Sequence, residues 1–113
     1  MISPGTYNAP VWCGATWSKT FTWSIDGTAV DWTGYTAKLQ VKEHLNSDSV
    51  VTLTSGSGIT LGGSAGTVVV TISSALTGAV TPGLYIYDLE VTNGSVTYRL
   101  LEGKFTFDGQ VTI

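Results

Sequence analysis

The chain has 113 residues, a length that fits one domain and is too short for two. Eight acidic against five basic residues give a net charge of −3, and the cations (Lys19, Lys38, Lys42, Arg99, Lys104) are scattered, which argues against nucleic-acid binding. A single cysteine excludes an intramolecular disulfide, and no apolar run approaches the roughly 18 residues of a membrane-spanning helix.

The first residues, Met1 to Gly5, lack the basic start and apolar run of a signal peptide. The expectation is a product made in the cytoplasm and not exported by the common route. Charged residues make up only 12%, against about 25% in a typical soluble domain. Threonine, serine and glycine fill the gap. Such a surface is expected of a subunit packed among neighbours, the alternative being a neutral soluble β-domain.

In chain order, residues 1–14 read as an extended N-terminal arm, with Pro4, Pro10, Gly5 and Gly14 limiting regular structure. Tyr7, Val11 and Trp12 give this arm much apolar surface, so it is expected to lie on other chains or, alternatively, to cover an edge of its own domain. Trp17 to Ile25 then alternates, with Trp17, Lys19, Phe21, Trp23 and Ile25 on one face and Ser18, Thr20, Thr22 and Ser24 on the other. Asp26-Gly27 supplies a turn with positive φ, and Val30 to Trp32 a short return.

Tyr35 to Lys42 alternates again, Glu43 to Ser49 is a polar loop, and Val50 to Thr54 is a strand. Ile59 to Leu61 and Val68 to Ile72 pair around Gly63-Ser64-Ala65-Gly66, setting Leu61 opposite Val68 and Ile59 opposite Val70. Ser74 to Thr77 is the one helical turn, ended by Pro82-Gly83. Leu84 to Thr92 and Ser95 to Glu102 flank Asn93-Gly94, a type I′ signal that sets Val91 against Val96, Leu89 against Tyr98, Tyr87 against Leu100 and Asp88 against Arg99. Gly103 to Phe107 forms a last strand, and Gln110 to Ile113 a tail.

Eight or nine short hairpin-connected strands without crossover helices predict an all-β domain over residues 15–113. The expected form is an antiparallel two-sheet immunoglobulin-like β-sandwich, with a small closed β-barrel as the alternative. Trp23, Leu39, Val70, Tyr87, Leu89 and Leu100 are its expected core.

The residue inventory offers little for catalysis. His44 stands alone in a polar loop, far in sequence from Cys13, which reads as a small buried hydrophobe. One Cys and one His cannot hold a structural zinc, the acids are too dispersed for a calcium loop, and no cofactor is expected. Asp88 and Glu90 share a strand face, but Asp88 reads as the ion-pair partner of Arg99 and Glu90 faces Thr97, so they do not read as a glycosidase pair. The glycine clusters match neither a P-loop nor a dinucleotide fingerprint.

One stretch is more specific. Asp26-Gly27-Thr28-Ala29-Val30-Asp31-Trp32-Thr33-Gly34-Tyr35 resembles an element of small phage structural proteins, nearest to the immunoglobulin-like N-terminal domain of phage upper-baseplate proteins. Leu76-Thr77 with Pro82 to Leu89, and Leu101 to Phe105 with Val111-Thr112, resemble its later strands. Those proteins continue into a receptor-side domain, whereas this sequence ends at Ile113. The resemblance implies a virion structural protein: a tail, baseplate, head-tail adaptor or capsid-decorating subunit. Its partners would be other virion proteins and copies of itself, without nucleic acid or membrane. Tyr7, Val11, Trp12, Val111 and Ile113 are the expected assembly contacts. A carbohydrate-binding module, with a glycan as ligand, is the alternative that the tryptophans suggest.

Overall fold

The computed structural model describes residues 5–109. The order is β1 (Gly5–Thr6), β2 (Ala9–Trp12), β3 (Trp17–Thr22), β4 (Ser24–Ile25), β5 (Thr28–Ala29), β6 (Thr36–Lys42), β7 (Ser49–Ser55) and β8 (Gly58–Leu61). A 3₁₀ turn (Gly63–Ala65), β9 (Thr67–Ile72), α1 (Ser74–Gly78), β10 (Gly83–Asn93) and β11 (Val96–Asp108) complete it. The protein is all-β.

The main sheet runs β1-β11-β10-β6-β7-β8-β9-β3, with β2 also on β11, and β4-β5 form a separate small ribbon. Trp17, on the last strand of that path, meets Phe105 of β11 edge-on at 5.2 Å, so the sheet curls back on itself. Among the described residues no ladder joins β3 to β1 or β2, and the curl stops short of a closed barrel. The expected purely antiparallel arrangement is corrected in two places. β1 and β2 pair parallel to β11, and β7 pairs parallel to β8. At the second, the chain loops completely through Gly56 and Gly58, both at positive φ, and continues in the same direction. A Cβ on Gly58 would sit 2.6 Å from Leu53 Cδ2.

The core lies inside the curl. Leu39, Val70, Tyr87, Leu89 and Leu100 are buried there, but Trp23 is only partly buried. The run from Trp17 to Ile25 is not one strand. It breaks at Trp23, whose N–H donates to Gly66 and whose carbonyl accepts from Val30, and the Asp26-Gly27 turn leads the ribbon outward, leaving Ile25 exposed. Trp32 fills the core instead, packed edge-on between Trp23 and Tyr35.

The pairing of Ile59 with Val70 and Leu61 with Val68 is as the alternation predicts. The last hairpin is corrected by two residues. Gly94 alone has positive φ, so Gly94-Ser95 forms the loop, as in a type II′ turn, and Val91 faces Tyr98. A bulge then leaves Leu100 unpaired, bringing Leu89 opposite Leu101 and Glu90 opposite Arg99. β11 runs unbroken through Gly103, where a separate strand was expected to begin.

Of the N-terminal segment, the described residues 5–6 and 9–12 pair with β11 as part of the sheet. Ala9 and Val11 alternate inward on β2, and Val11 is fully buried. Between β1 and β2, Asn8 Oδ1 accepts from the Lys104 N–H at 2.9 Å and Tyr7 N–H donates to the Glu102 carbonyl at 3.1 Å. Gly103 makes that splice possible, since a Cβ there would collide with the Tyr7 carbonyl oxygen. Ser73 caps α1 by accepting from Leu76 N–H, and the buried Thr77 hydroxyl donates to the Ala15 carbonyl at 2.8 Å, holding the link from β2 to β3.

Candidate functional site

Alternation along β10 and β11 turns one side chain in two away from the core. Leu84, Ile86, Asp88 and Glu90 of β10 share this outer face with Lys38, Gln40 and Lys42 of β6. Glu102, Lys104, Thr106 and Asp108 of β11 join them, with Pro10 and Trp12 of β2 beyond. Register orders these into rows: Leu84 beside Thr106 beside Pro10, and Ile86 between Lys42 and Lys104.

At one end of the face two large apolar side chains stand exposed, with Thr106 and Asp108 of β11 on the strand between them. Trp12 is 56% exposed and Leu84 58% exposed, although each sits on a strand whose alternate residues are deep in the core. At the other end a groove of about 480 Å³ opens, lined among others by Asn8, Lys42, Leu45, Ile86, Arg99 and Lys104. Asp88 and Glu102 are register partners on it. Arg99 reaches both, Nε to Asp88 at 3.6 Å and Nη1 to Glu102 at 3.4 Å. The Asp88–Arg99 contact expected from sequence is present, but it is diagonal, because Arg99 stands opposite Glu90. Both carboxylates are thus engaged by one guanidinium.

The expected contact residues separate. Trp12 is presented to solvent, whereas Val11 is withdrawn into the protein's own core and has no surface to offer. Tyr7 is partly buried, with its ring against Trp17 and Phe21 and its carbonyl accepting from Tyr87 Oη at 2.6 Å. Val111 and Ile113 lie outside the described residues. Sequence reasoning missed Leu84, Ile86 and the lysine pair, because only the register of three distant strands collects them.

Cys13 is buried and its Sγ–H donates to the Val80 carbonyl at 3.4 Å. His44 lies in an exposed turn 3.8 Å from Glu43. Burial, followed by the influence of Tyr7, pushes the Tyr87 phenol far above its ordinary range. Asp31, whose carboxylate accepts from both the hydroxyl and the N–H of Thr33, titrates below its usual range. These bonds shape the turn after Val30.

No protein-family model matches the chain, and no curated protein matches it in sequence. Among the solved structures that are similar in shape are the following two. One is a family 123 glycoside hydrolase from Clostridium perfringens, 12% identical, matched over 94% of this chain and 23% of that one, with a TM-score of 0.47. This chain therefore spans less than a quarter of the hydrolase. The other comes from work on multimeric cell-adhesive interactions of VGSC beta subunits, 13% identical over 99% of this chain and 98% of that one, with a TM-score of 0.46. Likenesses this distant carry no argument about activity.

Proposed function

We propose that the chain is a phage-type virion structural protein acting through protein–protein contacts, and that the outer face of β2, β10 and β11 makes them. The observation that carries this reading is the exposure of Trp12 and Leu84 on this face. Two large apolar side chains stand in water on strands whose adjacent inward residues, Val11 on β2 and Tyr85 on β10, are buried. Anchors of this kind need little ordering on association, and burying them removes apolar area from water. The low charge fraction supports the same reading. The partners are other virion proteins and copies of this chain, in a particle assembled in the host cytoplasm. The fold that accompanies this reading is an immunoglobulin-like sandwich whose two layers come from the curl of one sheet. No catalytic role is assigned, since Asp88 and Glu102 are both held by Arg99.

Mass spectrometry of purified particles tests the reading, together with incorporation of a Trp12→Ser variant. The protein should be present in stoichiometric amounts, and the variant should fold but incorporate poorly. Absence from particles would overturn the proposal. A second reading, a carbohydrate-binding module, is favoured by the exposed indole of Trp12 with Asp108 as its register neighbour. A glycan array with wild type and Trp12→Ala separates the two.

A further inference from the structure

The cationic row beside the exposed Leu84 points to the chemistry of the partner. Ile86 is flanked by Lys42 on β6 and Lys104 on β11, all on the outer face. With adjacent strands about 4.8 Å apart, the two lysine backbones are separated by roughly 10 Å. Among the described residues neither lysine takes part in an ion pair, because the groove's two carboxylates are committed to Arg99. Leu45, 81% exposed, lines the same groove as Ile86. Asn8 has its amide oxygen fixed by the Lys104 N–H, which leaves its NH₂ group as a further donor there. In a chain with a net charge of −3, this is a local excess of ammonium groups around an aliphatic floor.

We infer that the groove binds an acidic-aliphatic segment of a protein partner, its carboxylates meeting Lys42 and Lys104 and an aliphatic side chain covering Ile86 and Leu45. The inference rests on the protein-contact reading above and names the partner's chemistry. Charge complementarity selects the carboxylates. The aliphatic floor selects a peptide over an acidic sugar, since a sugar ring stacks on an aromatic face and the groove offers none. Its one aromatic residue, Tyr87, is buried with its hydroxyl given to Tyr7. Leu84 and Thr106 form the next outward row after Ile86 and Lys104, so the groove borders the exposed Leu84.

The test is a titration followed by backbone-amide NMR, with a short peptide alternating glutamate and valine, its glutamine counterpart, and an oligogalacturonate. The acidic peptide should shift the amides of Lys42, Ile86 and Lys104 and bind more weakly as salt rises. Replacing both lysines (Lys42→Gln with Lys104→Gln) should weaken it by about tenfold or more. No binding of the acidic peptide, equal binding of the glutamine peptide, or an unchanged affinity in the double variant would overturn the inference. Binding of the oligogalacturonate alone would also overturn it, in favour of a glycan. A double variant that enters particles normally, while Trp12→Ser does not, would overturn this inference and leave the assembly reading standing.

Discussion

The Tyr87 hydroxyl donates to the Tyr7 carbonyl at 2.6 Å, tying the N-terminal segment to a strand 80 residues later in the chain. Tyr87 is 5% exposed and its ring stacks on Phe105 at 4.1 Å, so the bond is partly shielded from water. Tyr87→Phe keeps the ring and loses the bond, and should cost about 1 kcal/mol near neutral pH.

The same residue sets an alkaline limit. Burial raises the phenol in the folded protein far above the value near 10 of an unfolded chain, and Tyr85 shifts the same way, chiefly by burial. Above pH 10 the unfolded chain loses a proton that the folded one retains. The stability due to this group is therefore complete below about pH 10 and is lost as pH climbs beyond it. Urea unfolding at pH 8 and pH 11 should show a drop for wild type and a smaller one for Tyr87→Phe. Equal drops would mean that Tyr87 is not the group responsible.

Gly103 should tolerate no side chain. Its Cβ would displace the Tyr7 carbonyl and with it the Asn8–Lys104 bond, lifting β2 and Val11 from the core. Gly103→Ala should cost about 1–3 kcal/mol. Amide hydrogen exchange should show protection falling first at Ala9 and Val11, the residues that flank Pro10 on β2. Unchanged protection there would mean that β1 and β2 are held by something other than this splice.

Leu89 is fully buried on the central strand β10, between Leu39 and Leu101 in register. Leu89→Ala should cost about 2–5 kcal/mol in denaturant unfolding. A loss below half of that range's lower bound would place the residue at a collapsible edge of the core.

Much of this architecture is legible in the sequence where two signals coincide. The Ile59–Val70 pairing follows from both loop length and alternation. At Asn93-Gly94-Ser95 the two possible two-residue loops differ by a shift of two, which keeps Val91 facing inward, so alternation could not choose between them. The bulge at Leu100 is silent because Leu100 and Leu101 are both apolar and both buried. Parallel pairing of β2 with β11 joins segments more than 90 residues apart and has no local signature, and Pro10 argues locally against a strand. Asp88–Arg99 was readable as a pair of types, but the third member, Glu102, needed the bulged register.

That third member gives the last prediction. Asp88 and Glu102 are like charges placed directly opposite each other, an arrangement that destabilises a sheet unless a cation lies between them. Arg99 is that cation, yet all three side chains are about half exposed, so water and salt screen the interaction. Arg99→Met should therefore cost at most about 1 kcal/mol, and most of that should be repulsion between the two carboxylates. Adding Glu102→Gln to Arg99→Met should recover much of the loss, whereas Glu102→Gln in wild type should change little. A double-mutant cycle in low and high salt measures this, and the coupling should shrink as salt rises. A coupling near zero at low salt would mean that Arg99 does not bridge the two carboxylates in solution.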